Sequence, residues 1–337
     1  MKRSGRHDRK RGFYSTMIAL GVLVLAAVLT LIVSLLRHSD SASAPPQPAP
    51  ATDTSPPSAN AALVDTATTA QVRQAVDHTA AKIFSYHSTT AAKHSSAAQH
   101  LVSGAAVRKV AKIFGAITAQ HHAGEISVHS TVSHSAVIKL AGGRAQVLVF
   151  LDELVSGGGK SQQGTGRLRI NAARRDGSWR ITDIDDQLSV AQPRPNVSGA
   201  VANGGPFDPA QTAAQRDLLL TAAMLDSEVL TSDDYRTPGQ SIANSQSLTT
   251  GGLHQQIVAR RAANTKRIAN SGQISTGRTV AAGVSAMNLQ AGTATVLCAV
   301  NETRRSKSGS NSTASDNLVL TMRRTGGRWL VSKLDQL

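Results

Sequence analysis

The stretch Leu168-Arg169-Ile170-Asn171-Ala172-Ala173-Arg174-Arg175-Asp176-Gly177-Ser178-Trp179-Arg180-Ile181 decides how this chain is read, because a counterpart ends it. That counterpart is Leu318-Val319-Leu320-Thr321-Met322-Arg323-Arg324-Thr325-Gly326-Gly327-Arg328-Trp329-Leu330-Val331. Each reads as a strand, a Gly-x-Trp turn and a second strand, a hairpin in which the indole anchors the turn to its sheet. Both tryptophans of the protein, Trp179 and Trp329, occupy this one position, 150 residues apart.

Working outward, Val147–Glu153 is matched by Val296–Glu302 and Ile126–Val132 by Ile274–Val280, runs rich in β-branched residues that read as strands. Further upstream, Leu101-Val102-Ser103-Gly104 is matched by Leu248-Thr249-Thr250-Gly251, each followed by a helical stretch carrying Val110 or Ile257. Helical stripes come first: Val72, Val76, Ile83 and Phe84, then Leu218, Leu219, Met224, Leu225 and Leu230. The offset drifts only from 147 to 150, which loop insertions produce, so the halves are duplicated domains. Helices followed by strands give an α+β class, with helices packed on one face of a curved antiparallel sheet.

Residues 17–36 hold no charge, and 20 helical residues span a hydrocarbon core of roughly 30 Å. Lys2, Arg3, Arg6, Arg9, Lys10 and Arg11 precede them, which keeps the N-terminus cytoplasmic and places the remainder outside the plasma membrane. The rival reading is a cleaved signal peptide ending at Ala42-Ser43-Ala44. Against it stand a span longer than the about 7 to 15 residues of a signal core, and Pro45 just beyond the cut. Six of the eleven prolines fall in residues 39–60, a stalk, and four lie between 193 and 209. The expected organisation is therefore a basic tail (1–16), one transmembrane helix (17–36), a stalk (37–60), a first domain (61–188), a linker (189–209) and a second domain (210–337).

Composition limits the chemistry. Aromatics are 3% of the 337 residues, so large aromatic-lined pockets are not expected, and one cysteine excludes an intramolecular disulfide or a multi-cysteine metal site. The net charge of +15 suits anionic partners, but it is spread over both halves without interleaved aromatics, which argues against sequence-specific nucleic-acid binding.

The order of motifs resembles the actinobacterial Mce-associated membrane proteins. The carriers are the basic N-terminus and single span, Ser85-Tyr86, Thr231-Ser232-Asp233-Asp234-Tyr235, the Leu-x-x-Gly turns and the Gly-x-Trp endings, over residues 65–187 and 210–337. The resemblance implies a cone-shaped fold of the nuclear transport factor 2 superfamily in each half. It also implies a non-enzymatic accessory or scaffold subunit of an Mce-type lipid transport system, whose partners are envelope transporter subunits. Such proteins usually carry one such domain; tandem cones behind a single span also resemble conjugation-channel proteins of the TcpC type. A lipid-binding carrier is a third alternative.

No residue is assigned a catalytic, cofactor or metal role. Enzymes of the resembled superfamily pair a carboxylate with a tyrosine, for which the nearest parts are Asp152-Glu153 with Tyr86 and Glu302 with Tyr235; both acidic groups read more simply as solvated strand ends. Eight of eleven histidines lie between His78 and His134 without helical metal-ligand spacing, so they read as a solvated face. Cys298 reads as a small buried hydrophobe. Arg174, Arg175, Arg323 and Arg324, on the repeated last hairpin, are the candidate partner-binding residues, and Trp179 and Trp329 the structural anchors.

A reporter fused after Leu337 should be active outside the cytoplasm, and mass analysis should find residues 17–36 retained. A secreted form beginning near Pro45 would refute the anchor.

Overall fold

The computed structural model describes residues 60–119, 125–186, 188, 192–195 and 208–337. The tail, span and most of the stalk and linker expected above lie outside the described residues. Among the described residues no helix is long and apolar enough to cross a membrane.

The first half opens with α1 (Thr66–Phe84), whose N-cap Asp65 accepts from the Thr68 amide at 2.9 Å. A two-residue strand β1 (Tyr86–His87) and a short 3₁₀ turn lead to α2 (Ala91–Leu101) and α3 (Ala105–Ala119). Four long strands follow: β2 (Ile126–Ala141), β3 (Arg144–Gly157), β4 (Lys160–Arg175) and β5 (Ser178–Asp185). The second half repeats this order with α4 (Pro209–Leu230), β6 (Asp233–Asp234), α5 (Pro238–Ser247), α6 (Gly251–Ala259) and α7 (Arg261–Ser271). Its strands are β7 (Gln273–Asn288), β8 (Thr293–Ser306), β9 (Asn311–Thr325) and β10 (Arg328–Gln336). Each sheet is an antiparallel meander in sequence order, β1 to β5 and β6 to β10. The α+β class with helices on a curved antiparallel sheet is thus observed, with a short fifth strand in each sheet that the sequence did not signal.

The duplication extends to irregularities. β2 is bulged between Val132 and His134 and between Val137 and Lys139, and β7 between Thr279 and Ala281 and between Val284 and Ala286, each pair separated by 147 residues. Paired bulges bend a strand and raise its twist, which is how each sheet curls around its helix. In the last strands Thr182 and Ser332 fall out of register, and their hydroxyls donate to Asn171 and Thr321 carbonyls at 3.1 and 3.0 Å. The Leu-x-x-Gly turns have the same purpose in both halves: Val102 bridges Ile181 and Thr249 bridges Val331, stitching the helical segment to the last strand. Gly104 and Gly251 there take φ of +59° and +56°, which favours glycine.

Alternate residues of each strand face opposite ways. On the inner face of the first sheet, Val147, Val149 and Leu151 pack with Val76, Ile83 and Phe114. In the second, Val296, Cys298 and Val300 pack with Leu219, Ala223 and Met224. The outer faces meet each other: Ala136, Ile138, Leu148 and Phe150 bury against Val280, Ala281, Leu297, Ala299 and Val319. Ala136 and Gly283 come close together, so that a Cβ added to the glycine would lie 2.8 Å from the alanine Cβ. These two residues hold the same repeat position, so the halves meet across a local two-fold axis, as subunits of an isologous dimer do.

Three arginines clamp the edges of this interface. Arg73 donates to the Ser285 carbonyl at 3.1 Å, and Arg216 to the Asn60 and Ala62 carbonyls at 2.7 and 2.8 Å. Arg167 donates to the Val300 carbonyl at 3.1 Å, to Ser315 Oγ at 2.9 Å and to Asn301 Oδ1.

Expressed separately, residues 61–188 and 208–337 should keep helix and strand signals yet self-associate through the uncovered faces, and recombine when mixed. Light scattering checks this; two monomers that ignore each other would contradict the interface. In the full chain Gly283→Leu should cost about 1–3 kcal/mol by overpacking the contact.

Candidate functional site

The junction of α1 with β1, β2 and β3 gathers polar groups that the sequence could not place together. Ser85, at the end of α1, fixes the geometry: its hydroxyl accepts from the Ser130 amide at 2.9 Å and donates to the Ser130 carbonyl at 3.2 Å. The Ser-Tyr pair is therefore a splice between helix and sheet, and it sets Tyr86 opposite Val128. Across β2, Ser130 pairs with Glu153, and the side chain of Glu153 continues the inner row of Val149 and Leu151. Burial raises the Glu153 carboxyl above its usual range, opposed by the Ser130 hydroxyl. Burial and the neighbouring Glu153 push the Tyr86 phenol up to about 12. Beside them Tyr86 meets Phe114 edge-on, centroids 5.2 Å apart, and His94 lies 4.9 Å from Phe114. His94 Nε2 donates to the Ile83 carbonyl at 2.9 Å, so it is an internal tie between helices rather than part of a solvated face.

In the second half Glu302 holds the position of Glu153 but has a different environment. It is buried, at 7% exposure, not a solvated strand end. Arg304 grips it with both arms, Nε to Oε1 at 2.9 Å and Nη2 to Oε2 at 2.5 Å. Burial pushes the Glu302 carboxyl up, but Arg304 and Ser275 outweigh it and leave the group below its usual value. Asp316 joins them, its own carboxyl raised by burial and by Glu302. Tyr235 is not among the groups acting on Glu302; its amide binds the Gln273 carbonyl at 3.2 Å. The carboxylate–tyrosine pair is thus brought together in the first half only.

The other expected residues are placed as follows. Asp152 is exposed on the opposite face of β3 from Glu153. Arg174, Arg175, Arg323 and Arg324 are all exposed at the tips of the last hairpins, with Arg174 directly opposite Trp179 and Arg324 opposite Trp329. Trp329 is buried in the second core and Trp179 packs partly buried on the first. Cys298 is fully buried, its thiol pushed up to about 12 by burial. Among the described residues no group of three or more His, Cys, Asp or Glu is placed to hold a metal ion; His121 and His122 lie outside them. An open depression on α1 is lined by Ala70, Arg73, Gln74, Asp77 and His78; Arg73 binds across the interface and Asp77 Oδ2 accepts from Ser135 at 2.8 Å, while Asp77 Oδ1 has no hydrogen-bond partner among the described residues.

Asp226, on α4, was not singled out by the sequence, because an acid in a helix normally reads as a solvated residue. It is 4% exposed and its Oδ2 has no hydrogen-bond partner among the described residues. Burial raises its pKa from 3.8 to about 7, against the lowering pull of Arg328. The folded state then holds this proton more tightly than the unfolded chain, so native stability falls as pH rises from 3.8 towards 7. Asp226→Asn should therefore stabilise the protein at pH 8 by on the order of 4 kcal/mol and do little near pH 4. Thermal melts at the two pH values check this; an equal effect at both would refute it.

No protein-family model matches the chain, and no curated protein matches it. Among solved structures it is similar to an "Ntf2 like protein involved in plasmid conjugation", at 11% identity and a TM-score of 0.25, covering 78% of this chain and 94% of that one. It is also similar to the intermembrane space region of the chloroplast protein ARC6, at 6% identity and a TM-score of 0.26, covering 35% of this chain and 91% of that one.

Proposed function

We propose that this chain is a non-enzymatic scaffold subunit of a cell-envelope transport assembly, held by the span 17–36, with the Mce-type lipid import system as its setting. The observation that carries this reading is the filling of both cones. Val147, Val149, Leu151, Ile83 and Phe114 in the first, and Val296, Cys298, Val300 and Met224 in the second, are each at most 1% exposed. Ligand carriers and enzymes usually keep a concave, mostly apolar pocket. With the interiors occupied by the chain's own side chains, recognition falls to the surface, and this also weighs against a lipid carrier.

A second reading, a component of a conjugative DNA-transfer channel, draws on the tandem arrangement: Mce-associated proteins usually have one cone, whereas here two are joined face to face through Ala136 and Gly283. The exposed arginines at the hairpin tips are the proposed contact with an acidic partner in either setting.

Full-length protein purified from its native membrane should bring down transporter subunits of a lipid-import system; DNA-transfer subunits in their place would favour the second reading. Reversing Arg174 and Arg175, or Arg323 and Arg324, to Glu should weaken this retention, most strongly at low salt where charge attraction is least screened. Unchanged retention in both variants would remove the hairpin tips from the interface. A chain that comes down alone would refute the scaffold.

A further inference from the structure

We infer that the mouth of the first cone, beside Glu153 and Tyr86, is a receptor for an arginine side chain supplied by a partner protein. Matched position by position, the two halves differ at this point. Strand pairing makes Glu153 the counterpart of Glu302, since each sits opposite the third-strand partners Gly164 and Ala314 and the first-strand partners Ser130 and Gly277. By the same registers Val155 is the counterpart of Arg304, Gly166 of Asp316 and Tyr86 of Asp233.

In the second half the carboxylate is occupied by the chain's own guanidinium, bound through two parallel hydrogen bonds. The first half keeps the carboxylate and lacks the guanidinium. Val155 cannot supply one, and among the described residues no Lys, Arg or His forms an ion pair with Glu153. A half-buried acid left without a cation is costly to keep ionised, whereas a cation arriving from outside repays that cost.

The space for such a cation is also present. A Cβ built on Gly164 would meet no atom within 4 Å, which leaves open space there; one on Gly166 would be in ordinary contact with Glu153 Oε1 and Leu151, at 3.5 Å from each, so the carboxylate itself lies over that glycine. The strand beside the carboxylate therefore carries no side chains where the second half has Ala314 and Asp316. Replacement of Asp233 by Tyr86 adds an aromatic ring, a surface on which guanidinium groups stack. Arginine suits the site better than lysine because the carboxylate geometry of the twin is matched by a planar two-armed donor. That the arginine comes from a protein rests on the scaffold reading; that the site takes a guanidinium does not.

The test uses the full chain in detergent micelles with ¹³C-labelled tyrosine and N-acetyl-arginine amide as probe, its neutral citrulline analogue serving as control. The arginine probe should shift the Tyr86 resonance saturably, the citrulline probe should not, and Glu153→Gln should abolish the shift. The variant Val155→Arg should fill the site from within, raising the thermal midpoint only while Glu153 is present and eliminating the probe shift. Retention of the native partner should fall about thirtyfold or more in both variants. A folded wild-type chain whose Tyr86 ignores the arginine probe, or responds equally to citrulline, overturns the site. Probe binding with partner retention unchanged in both variants overturns the partner's arginine as occupant. A wild-type chain that binds the probe yet brings down no partner supports the guanidinium site and counts against the scaffold reading instead.

Discussion

The face-to-face packing of β2 on β7 is the contact on which the arrangement of this protein depends. Sheets packed through aliphatic side chains stand about 10 Å apart, and a contact as close as that of Ala136 with Gly283 requires small residues at the crossing. Smallness at this one point lets Leu148, Phe150, Leu297 and Val319 close around it and exclude water. Burial of the outer faces removes the apolar surface that each meander would otherwise leave exposed. Arg73, Arg167 and Arg216 bind main-chain carbonyls of the opposite half, since carbonyls from which the neighbouring half displaces water need donors.

A fused pair related by a local two-fold axis is free to diverge, because a change in one half is not repeated in the other. The inner rows show where divergence was resisted and where it was not. Bulges, hydroxyl ties at Thr182 and Ser332, and the glycine turns at Gly104 and Gly251 are kept, since each sets the curvature or joins helix to sheet. The ends of the inner rows differ: Glu302 is paired with Arg304 and accompanied by Asp316, whereas Glu153 neighbours Tyr86 and two glycines. In one half the carboxylate is held in an internal ion pair with Arg304; in the other, no ion pair to Glu153 forms among the described residues.

Asp226 shows a different kind of asymmetry. Its counterpart in the first half is Thr79, a neutral residue, so the burial cost of an acid at this helix position falls on the second half. Its proton affinity near neutrality makes the stability of that half depend on pH through a group its twin lacks at this position.

The sequence by itself determined the duplication, the α+β class, the order of helices and strands and the assignment of Trp179 and Trp329 to one repeated turn. These are local or periodic signals, and a repeat offset of 147 to 150 needs no knowledge of what touches what. It could also place Cys298 in a core, because a lone thiol in a β-branched run has few other uses. It could not show that Glu153 and Tyr86 meet while Glu302 and Tyr235 do not. That depends on register: the place Tyr86 holds opposite Val128 is held by Asp233 opposite Ser275, and Tyr235 lies two residues farther along. Nor could it tell His94 from its exposed neighbours, since its bond to the Ile83 carbonyl exists only once α2 lies against the end of α1. The burial of Asp226 and the meeting of Ala136 with Gly283 were decided by tertiary structure alone. Both depend on which face of a helix or strand is covered by a segment distant in the chain, and residue spacing carries no record of that.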